Sequence, residues 1–229
     1  MSDFKETIII AMGGSLLVPE NIDVPFIKDL KEMVRHFTNE GYQITLVCGG
    51  GKTCRNYQAA GKEFDNVNDL DLDWIGIKSI WLNCELLLRV LSDVDVYEEV
   101  ILKPSDVKDI KNAVMVVGAW EPGHSSDTDA VEMAQASGAH RIVNFSNTAH
   151  VYSADPQTNP DAEKHEELSW ADYRNIIPKE WTPGMSAPFD PVASRLAEES
   201  GITVAILGAS VENLQNYLDE KEFEGTIIS

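Results

Sequence analysis

The sequence contains few basic residues. Only 18 lysines and arginines stand against 38 aspartates and glutamates among its 229 residues, which gives a formal net charge of −20. A chain this acidic presents no broad basic surface to attract a nucleic acid or an anionic membrane, so we exclude both as partners. A phosphate-bearing ligand would instead be a small molecule that a few local groups hold.

Cysteine and long apolar runs are scarce too. Cys48, Cys54 and Cys84 are odd in number and lack CxxC spacing, which indicates neither a disulfide framework nor a zinc site. The first apolar run, residues 7–12, is too short for a signal peptide or a membrane span, so we expect a cytoplasmic protein. The Walker lysine motif and the GxGxxG fingerprint are also absent, which disfavours the common nucleotide-loop classes.

Apolar runs rich in β-branched residues predict the strands of a buried sheet. They are continuous rather than alternating, which is typical of strands covered on both faces, and they include residues 7–12, 44–48, 114–118, 142–145 and 203–207. Helical patterns separate these runs, which predicts an α/β fold: a three-layer αβα sandwich with a mainly parallel sheet. We expect a single domain over residues 1–229, with lobes of about 1–140 and 141–229, and ligands at the carboxyl ends of the strands.

Three further segments carry structural expectations. Asp23 is suited to cap a helix that has Pro25 in its first turn. The segment Asp73–Leu91 has mixed helical periodicity and little charge, so it is either a core helix or a subunit interface. The stretch Pro178–Pro188 is rich in prolines and is interpreted as a loop that could act as a lid.

Glycine-rich junctions follow three of the predicted strands. They are Gly13–Ser15, Gly49–Lys52 and Pro122–Asp127. Glycine lets backbone N–H groups approach a phosphate without an intervening Cβ, and the N-terminus of a following helix favours negative charge. The alternative for each junction is a tight turn between a strand and a helix. Three such junctions on one sheet favour a phosphate ligand.

Further motifs occur in a fixed order along nearly the whole chain. They are Gly13–Pro19, Gly49–Tyr57, Asp73–Asn83, Pro122–Asp127, Asn147–Pro156, Asp190–Ala193 and Gly225–Ile227. This order resembles the archaeal-type uridylate kinases of the amino acid kinase family. The resemblance implies a kinase that transfers the γ-phosphoryl group of ATP to UMP or a related small phosphate, with Mg²⁺ as a cofactor. It also implies a homo-oligomer, because relatives form hexamers.

The resemblance also assigns roles to individual positions. The acceptor-binding positions are Gly50, Gly51, Arg55, Asp73, Gly118, Ser125, Ser126 and Asp127. The ATP-binding positions are Gly13, Gly14, Ser15, Asn147, Tyr152 and Asp155. Lys52 and Asp190 are the candidates for a catalytic role, and no residue is assigned to a metal. From the residues alone, Asp73 could instead cap a helix and Lys52 could be a solvated surface lysine.

Four positions depart from the family pattern. Ala11 stands where many relatives carry lysine, Trp81 where archaeal relatives commonly carry arginine, and Ala149–His150 where relatives carry an aspartate and a glycine. These departures leave an alternative function open, a catalytically degenerate member that binds a nucleotide or an oxyanion for regulation or storage. His124 and His150 lack partners at metal-ligand spacing, which favours polar contacts within loops.

Overall fold

A seven-stranded sheet forms the centre of the computed structural model, which describes residues 4–156, 158–180 and 187–229. Five neighbouring strands run parallel, in the spatial order β3 (Val114–Val117), β2 (Tyr42–Cys48), β1 (Glu6–Met12), β4 (Arg141–Phe145) and β8 (Thr203–Leu207). The sheet continues with the antiparallel strand β9 (Gly225–Ile228) and then β7 (Glu167–Leu168). Strands β5 (Val151–Tyr152) and β6 (Lys164–His165) form a separate antiparallel pair.

Helices cover both faces of this sheet. The first face is covered by α1 (Gly14–Leu17), α2 (Val24–Asn39), α4 (Asp69–Val90) and α8 (Val211–Leu218). The second face is covered by α5 (Ser126–Ser137), α6 (Trp170–Ile176) and α7 (Pro191–Glu199). Helix α3 (Gly51–Gly61) packs on α4, and a 3-10 turn, Pro104–Val107, packs on α5. The predicted three-layer sandwich with a mainly parallel sheet is therefore confirmed.

Strand β1 shows why its sequence is apolar at every position from Ile8 to Met12. Ile8, Ile10 and Met12 face the first helical layer, whereas Ile9 and Ala11 face the second. All five residues are buried, because successive side chains of a strand point to opposite faces and both faces are covered here. Continuous rather than alternating hydrophobicity follows directly from this position in the middle layer.

The direction of the crossovers creates a crevice at the carboxyl edge of the sheet. The chain passes from β1 to β2 over the first face and from β4 to β8, on the other side of β1, over the second face. The loops after β1 and β4 therefore leave in opposite directions. Their first residues, Gly13 and Ser146, lie side by side at this point, which is the usual ligand position in open α/β sheets.

Helix caps explain where two of the predicted helices begin. The Asp23 carboxylate accepts a hydrogen bond from the Phe26 N–H at 3.0 Å, so Asp23 caps α2 as predicted. Helix α4 begins before Asp73, because Asn68 and Asp71 form a reciprocal capping box at its N-terminus. The alternative in which Asp73 caps this helix is wrong, and Asp73 lies in the second turn.

Several short elements were not predicted from the sequence, namely α1, the β5–β6 pair, β7 and α6. Of the expected lid loop, residues 181–186 lie outside the described residues. The division into two lobes near residue 140 stays a prediction. Within the part of the chain that the structure describes, no helix has the length and apolar character needed to cross a membrane.

Candidate active site

The first two glycine junctions lie in direct backbone contact at the carboxyl ends of β1 and β2. A Cβ atom added to Gly14 would lie 2.1 Å from the Gly51 nitrogen, and one added to Gly49 would lie 2.4 Å from the Gly14 nitrogen. Gly51 also has a φ of +62°, a conformation that glycine adopts without strain. These glycines are therefore required by packing, and the same packing leaves backbone N–H groups close to any ligand at this edge.

Arg55 links the two glycine loops through its side chain. Its Nη1 donates a hydrogen bond of 3.2 Å to the hydroxyl of Ser15, which belongs to the glycine loop after β1. Within the described ranges the Arg55 guanidinium forms no ion pair with a carboxylate. Arg55 lies in the second turn of α3 and is exposed, so its remaining N–H groups are available to an anion.

Lys52 follows the second glycine loop but points at the rim of the site. Its Nζ atom forms an ion pair of 3.1 Å with the Glu20 carboxylate, and about one third of its side chain is exposed. This geometry matches the alternative of a surface lysine. Contact with a phosphate would require Lys52 to exchange Glu20 for that phosphate.

Asp190 joins the N-termini of two helices on the second face. Its Oδ1 atom accepts hydrogen bonds from the N–H groups of Val192 and Ala193, at 2.7 and 2.8 Å, which caps α7. Its Oδ2 atom accepts hydrogen bonds from the hydroxyls of Ser125 and Thr128 at the start of α5. Asp190 is buried, and both oxygens are occupied by protein donors.

Asp127 lies beside Asp190 and completes this polar cluster. Its oxygens accept hydrogen bonds from the Asn144 amide at 2.9 Å and from the Asp190 backbone N–H at 3.0 Å. Burial, and then the neighbouring Asp190 charge, raise the pKa of Asp127 to about 7, whereas the two hydrogen bonds oppose this shift. The charge of the cluster therefore changes near neutral pH.

Two residues that support the cluster were missed in the sequence. Asn144 is a buried polar residue inside strand β4, and its amide also donates to the Pro188 carbonyl at 3.1 Å. Tyr173 donates its hydroxyl proton to the Phe189 carbonyl and accepts from the Phe189 N–H, at 2.5 and 2.7 Å, which fixes the backbone just before Asp190. Asn144 could have been noticed as an asparagine inside an otherwise apolar strand. No comparable sequence pattern marks Tyr173.

Trp81 covers Gly118, which the sequence resemblance assigns to the acceptor site together with Gly50 and Gly51. The indole Nε1 donates to the Ala119 carbonyl at 2.8 Å, and a Cβ atom on Gly118 would lie 3.0 Å from the Trp81 ring. The Lys78 ammonium lies 3.4 Å above the centre of that ring. Gly118 is buried, and the position that its Cβ would take is occupied by the Trp81 ring.

The acceptor loop is held from below by helix α4. The Asn83 amide donates to the Gly49 carbonyl at 2.8 Å, which fixes the second glycine loop against the helix. Burial raises the pKa of the Cys54 thiol of α3, the Arg55 charge lowers it, and the charge of Asp73, in the second turn of α4, raises it. Helices α3 and α4 pack together, so Asp73 and Arg55 lie on neighbouring helices.

The predicted donor residues follow β4 in the neighbouring loop. Asn147 is exposed directly after Ser146, Tyr152 lies in β5, and Asp155 lies in the turn that follows. Ala149 packs against the loop after β8, where a Cβ atom on Gly208 would lie 3.0 Å from the Ala149 methyl group. The loops after β4 and β8 therefore touch, and the first glycine loop lies against the start of this segment.

The next residue, His150, is buried behind this loop. Within the described part of the chain, its Nδ1 atom has no hydrogen-bond partner. Its ring lies 6.2 Å from the Tyr152 ring in an edge-on arrangement. His150 therefore fills volume beneath the donor loop.

Among the described residues, Asp127 and Asp190 do not form a cage for a divalent cation. Both oxygens of Asp127 and of Asp190 already accept hydrogen bonds from protein donors. The cluster of potential metal ligands found among the described residues, His36, Glu40 and Asp219, is formed by the C-terminal ends of α2 and α8. The Asp127–Asp190 pair therefore does not fit a magnesium ion held by the protein itself.

These contacts bring two glycine loops together and join the N-termini of α5 and α7 through Asp190. Glycine loops and helix N-termini both favour an anion. The chain belongs to the amino acid kinase family, because the family model "Amino acid kinase family" matches residues 6–208. The family assignment made from the sequence motifs is therefore confirmed.

Individual members of the family are similar over nearly the full length. The chain is 34% identical to the uridylate kinase of Pyrococcus abyssi over 208 residues, which covers 88% of this chain and 89% of the relative. It is 31% identical to the uridylate kinase of Methanocorpusculum labreanum over 225 residues, with 96% and 94% covered. The crystal structure of uridylate kinase from Archaeoglobus fulgidus superimposes with a TM-score of 0.83 at 26% identity and covers 97% of this chain and 99% of that chain.

Proposed function

We propose that this chain is a nucleoside monophosphate kinase that transfers the γ-phosphoryl group of ATP to UMP. The observation that carries the proposal is the contact between the first and second glycine loops, with Arg55 bridging them. Two phosphate-binding loops in contact bring a donor and an acceptor phosphate together, which is the main requirement of phosphoryl transfer. The similarity to uridylate kinases over nearly the whole chain supports UMP as the acceptor.

On the acceptor side, the N-terminus of α3 holds the phosphate of UMP. Gly50 and Gly51 contribute N–H groups at the positive end of the helix dipole, and Arg55 contributes a charged, forked donor. Asp73 accepts hydrogen bonds from the ribose hydroxyls. Ser125, Ser126 and Asp127 line the far wall, and Gly118 supports it from the end of β3.

On the donor side, the first glycine loop holds the phosphates of ATP. Gly13, Gly14 and Ser15 approach the phosphates from the end of β1, and Asn147, Tyr152 and Asp155 contact the nucleoside end along the loop after β4. Magnesium is proposed to enter with ATP on its phosphate oxygens, since both oxygens of Asp127 and of Asp190 already accept protein hydrogen bonds. It neutralises phosphate charge there and needs no dedicated protein cage.

Chemistry at this site depends on position and charge rather than on a covalent intermediate. The UMP phosphate oxygen is already anionic and attacks without a general base, and ADP leaves. Arg55 neutralises the acceptor phosphate, and Lys52 supplies a second cation once it leaves Glu20. Asp190 acts by fixing the N-termini of α5 and α7 beside the transferred group, because its oxygens are fully used by those helices.

The protein is proposed to act as a homo-oligomer, hexameric as its relatives imply. Large apolar side chains on α3, on α4 and between them are 40% to 66% exposed, namely Tyr57, Phe64, Leu70, Trp74 and Leu82. A group of this kind on a monomer is unusual and favours a subunit contact. Helix α4 then serves both purposes that its sequence allowed, since its other side is buried in the core.

A coupled assay tests the proposal. Purified protein with ATP and Mg²⁺ should release ADP when UMP is added, and the product should be UDP. CMP, AMP and GMP in parallel define the acceptor. Protein that binds UMP or ATP by calorimetry but forms no ADP with any of these monophosphates would support the alternative of a binding protein instead.

A further inference from the structure

His124 and Asp129 form a polar contact across the first turn of α5. Ser125 is the N-cap of this helix, so His124 precedes the cap and Asp129 is the fourth helical residue. The His124 Nδ1 and Asp129 Oδ1 atoms lie 3.7 Å apart. Apolar residues at these two positions commonly pack together as a hydrophobic staple, which fixes the angle at which the chain enters a helix. Here two ionisable side chains occupy those positions.

Neither atom of this contact has a hydrogen-bond partner among the described residues. Both are buried, and Asp129 as a whole is only 3% exposed. A buried polar atom without a partner is costly, and a single proton shared between the two atoms would satisfy both at once. Small closure of the 3.7 Å gap would complete that hydrogen bond.

The charged groups around the pair are mostly acidic. Glu121 lies 3.3 Å from the other ring nitrogen of His124, and the Trp120 ring contacts the imidazole edge-on. The remaining groups that act on Asp129 are Asp127 and Glu132 of α5 and Asp190 at the start of α7. The 3-10 turn that packs on α5 carries Asp106, which is paired with Lys103. Burial first, and then Glu132, Asp127, Glu121 and Asp190, raise the pKa of Asp129 to about 8.

We propose that His124 and Asp129 act as a proton-dependent staple that holds residues 121–125 over the acceptor side, with Asp129 as a positioning residue for the acceptor. This inference rests on the proposed function for the position and the identity of that acceptor. The staple orients Ser125, whose hydroxyl donates to Asp190, and it orients Trp120 at the end of the same loop.

The direction of the pH effect follows from the charge of the pair. Below about pH 8 the pair keeps its shared proton and is neutral overall, so the loop is held. Above that pH the pair becomes anionic among Glu121, Asp127, Glu132 and Asp190. The added charge repels both these acids and the anionic acceptor phosphate. The KM for the acceptor should therefore rise with pH through this range, with a smaller change in kcat.

The first test compares pH profiles of the intact enzyme. Asp129→Asn keeps the shape of the side chain but cannot lose a proton, so its KM for UMP should stay within about twofold between pH 7 and 9. The wild type and the control His140→Gln, an exposed histidine at the other end of the sheet, should both show a KM that rises at least fivefold. A KM for UMP that rises with pH in Asp129→Asn as steeply as in the wild type would overturn the proposal.

A second variant separates positioning from simple stability. The double substitution His124→Leu with Asp129→Leu replaces the polar staple with an apolar one. The KM of this double variant for UMP at pH 7 should lie within about threefold of the wild-type value. Its KM should no longer rise above pH 8. A double variant that folds but keeps the wild-type pH profile contradicts the proposal, even if Asp129→Asn is poorly folded.

A spectroscopic readout does not depend on turnover. The Asp129 carboxyl carbon resonance, assigned by its loss in Asp129→Asn, should titrate near pH 8 in the wild type, and its midpoint should move in His124→Gln. Equal midpoints in the wild type and in His124→Gln would overturn the staple. A shifted titration without any kinase activity would retain the staple and refute the proposed function, so the two failures are distinguishable.

Discussion

Asp127 accepts a hydrogen bond of 3.0 Å from the backbone N–H of Asp190, so the first turn of α5 and the cap of α7 meet at one pair of carboxyl groups. The Asp127 pKa of about 7 lies well above the value of an unfolded chain, about 3.9. The folded state therefore binds more protons than the unfolded state between these values. The stability that protonated Asp127 contributes is therefore complete below about pH 4 and is lost as pH rises through 7.

The first prediction follows from that sign. Asp127→Asn should remove this part of the pH dependence, so its free energy of unfolding should fall less than that of the wild type between pH 5 and 8. The difference should be on the order of 2–4 kcal/mol. Urea denaturation at each pH measures it. Asp65→Asn, an exposed matched control, should follow the wild type. Parallel curves for Asp127→Asn and the wild type would show that Asp127 is ionised in the fold throughout.

The second prediction concerns the contact between the glycine loops. Gly14→Ala places a methyl group 2.1 Å from the Gly51 nitrogen, which forces the two loops apart. It should destabilise the fold by about 3 kcal/mol or more, at the upper end of overpacking effects, and weaken UMP binding. Gly13→Ala is the matched control, since its added methyl meets the Ser146 side chain at 3.3 Å. Thermal denaturation should rank Gly14→Ala well below Gly13→Ala, and equal stability would contradict the close contact.

The third prediction concerns Lys52. If Lys52 leaves Glu20 to contact the transferred phosphoryl group, Lys52→Ala should lower kcat by about 100-fold or more. Lys62→Ala, at the other end of α3, should have no comparable effect. Glu20→Gln frees the lysine and should leave kcat unchanged or slightly higher. Wild-type kcat in Lys52→Ala would return Lys52 to the role of a surface lysine.

The fourth prediction concerns assembly through α3 and α4. Light scattering at micromolar concentration should report an oligomer, and Leu82→Glu should dissociate it by placing a charge in the apolar contact. Ile22→Glu is the matched control, because Ile22 is similarly exposed but lies before α2. A wild-type protein that is monomeric at this concentration would remove the assembly proposal while leaving the site intact.

The fold was predictable because its signals are local and repeated. Residues Ile8–Met12 of β1, for example, are all apolar because helices cover both faces of the strand. Asp23 and Pro25 mark the start of α2 in the sequence itself. Elements of two residues, such as β7, were missed because so short a segment carries no periodicity. The glycine junctions were predictable because close backbone contacts allow no other residue at Gly14 and Gly51.

The internal organisation of the site was less accessible from sequence. Tyr173 and Asn144 contact the Asp127–Asp190 cluster from elements far away in the chain, and neither spacing nor composition links them. Asp190 matched a family motif, but only the structure shows that its oxygens are occupied by helix N–H groups and hydroxyls. Such contacts depend on tertiary packing, which local patterns do not encode.

The last prediction tests the assignment of the acceptor phosphate to the second glycine loop. Arg55 has no carboxylate partner among the described residues and donates only to the Ser15 hydroxyl, so its charge is free for a phosphate. Arg55→Ala should weaken UMP binding by about 1.5–3 kcal/mol, the range for a hydrogen bond to a charged group. Arg89→Ala, which removes an exposed arginine of α4 paired with Glu85, is the control.

Calorimetric titration of UMP into the wild type, Arg55→Ala and Arg89→Ala is the most direct measurement. The account predicts a loss of affinity of roughly tenfold to a hundredfold in Arg55→Ala and none in Arg89→Ala. Equal affinity of UMP for all three proteins would contradict it, because the phosphate would then lie elsewhere.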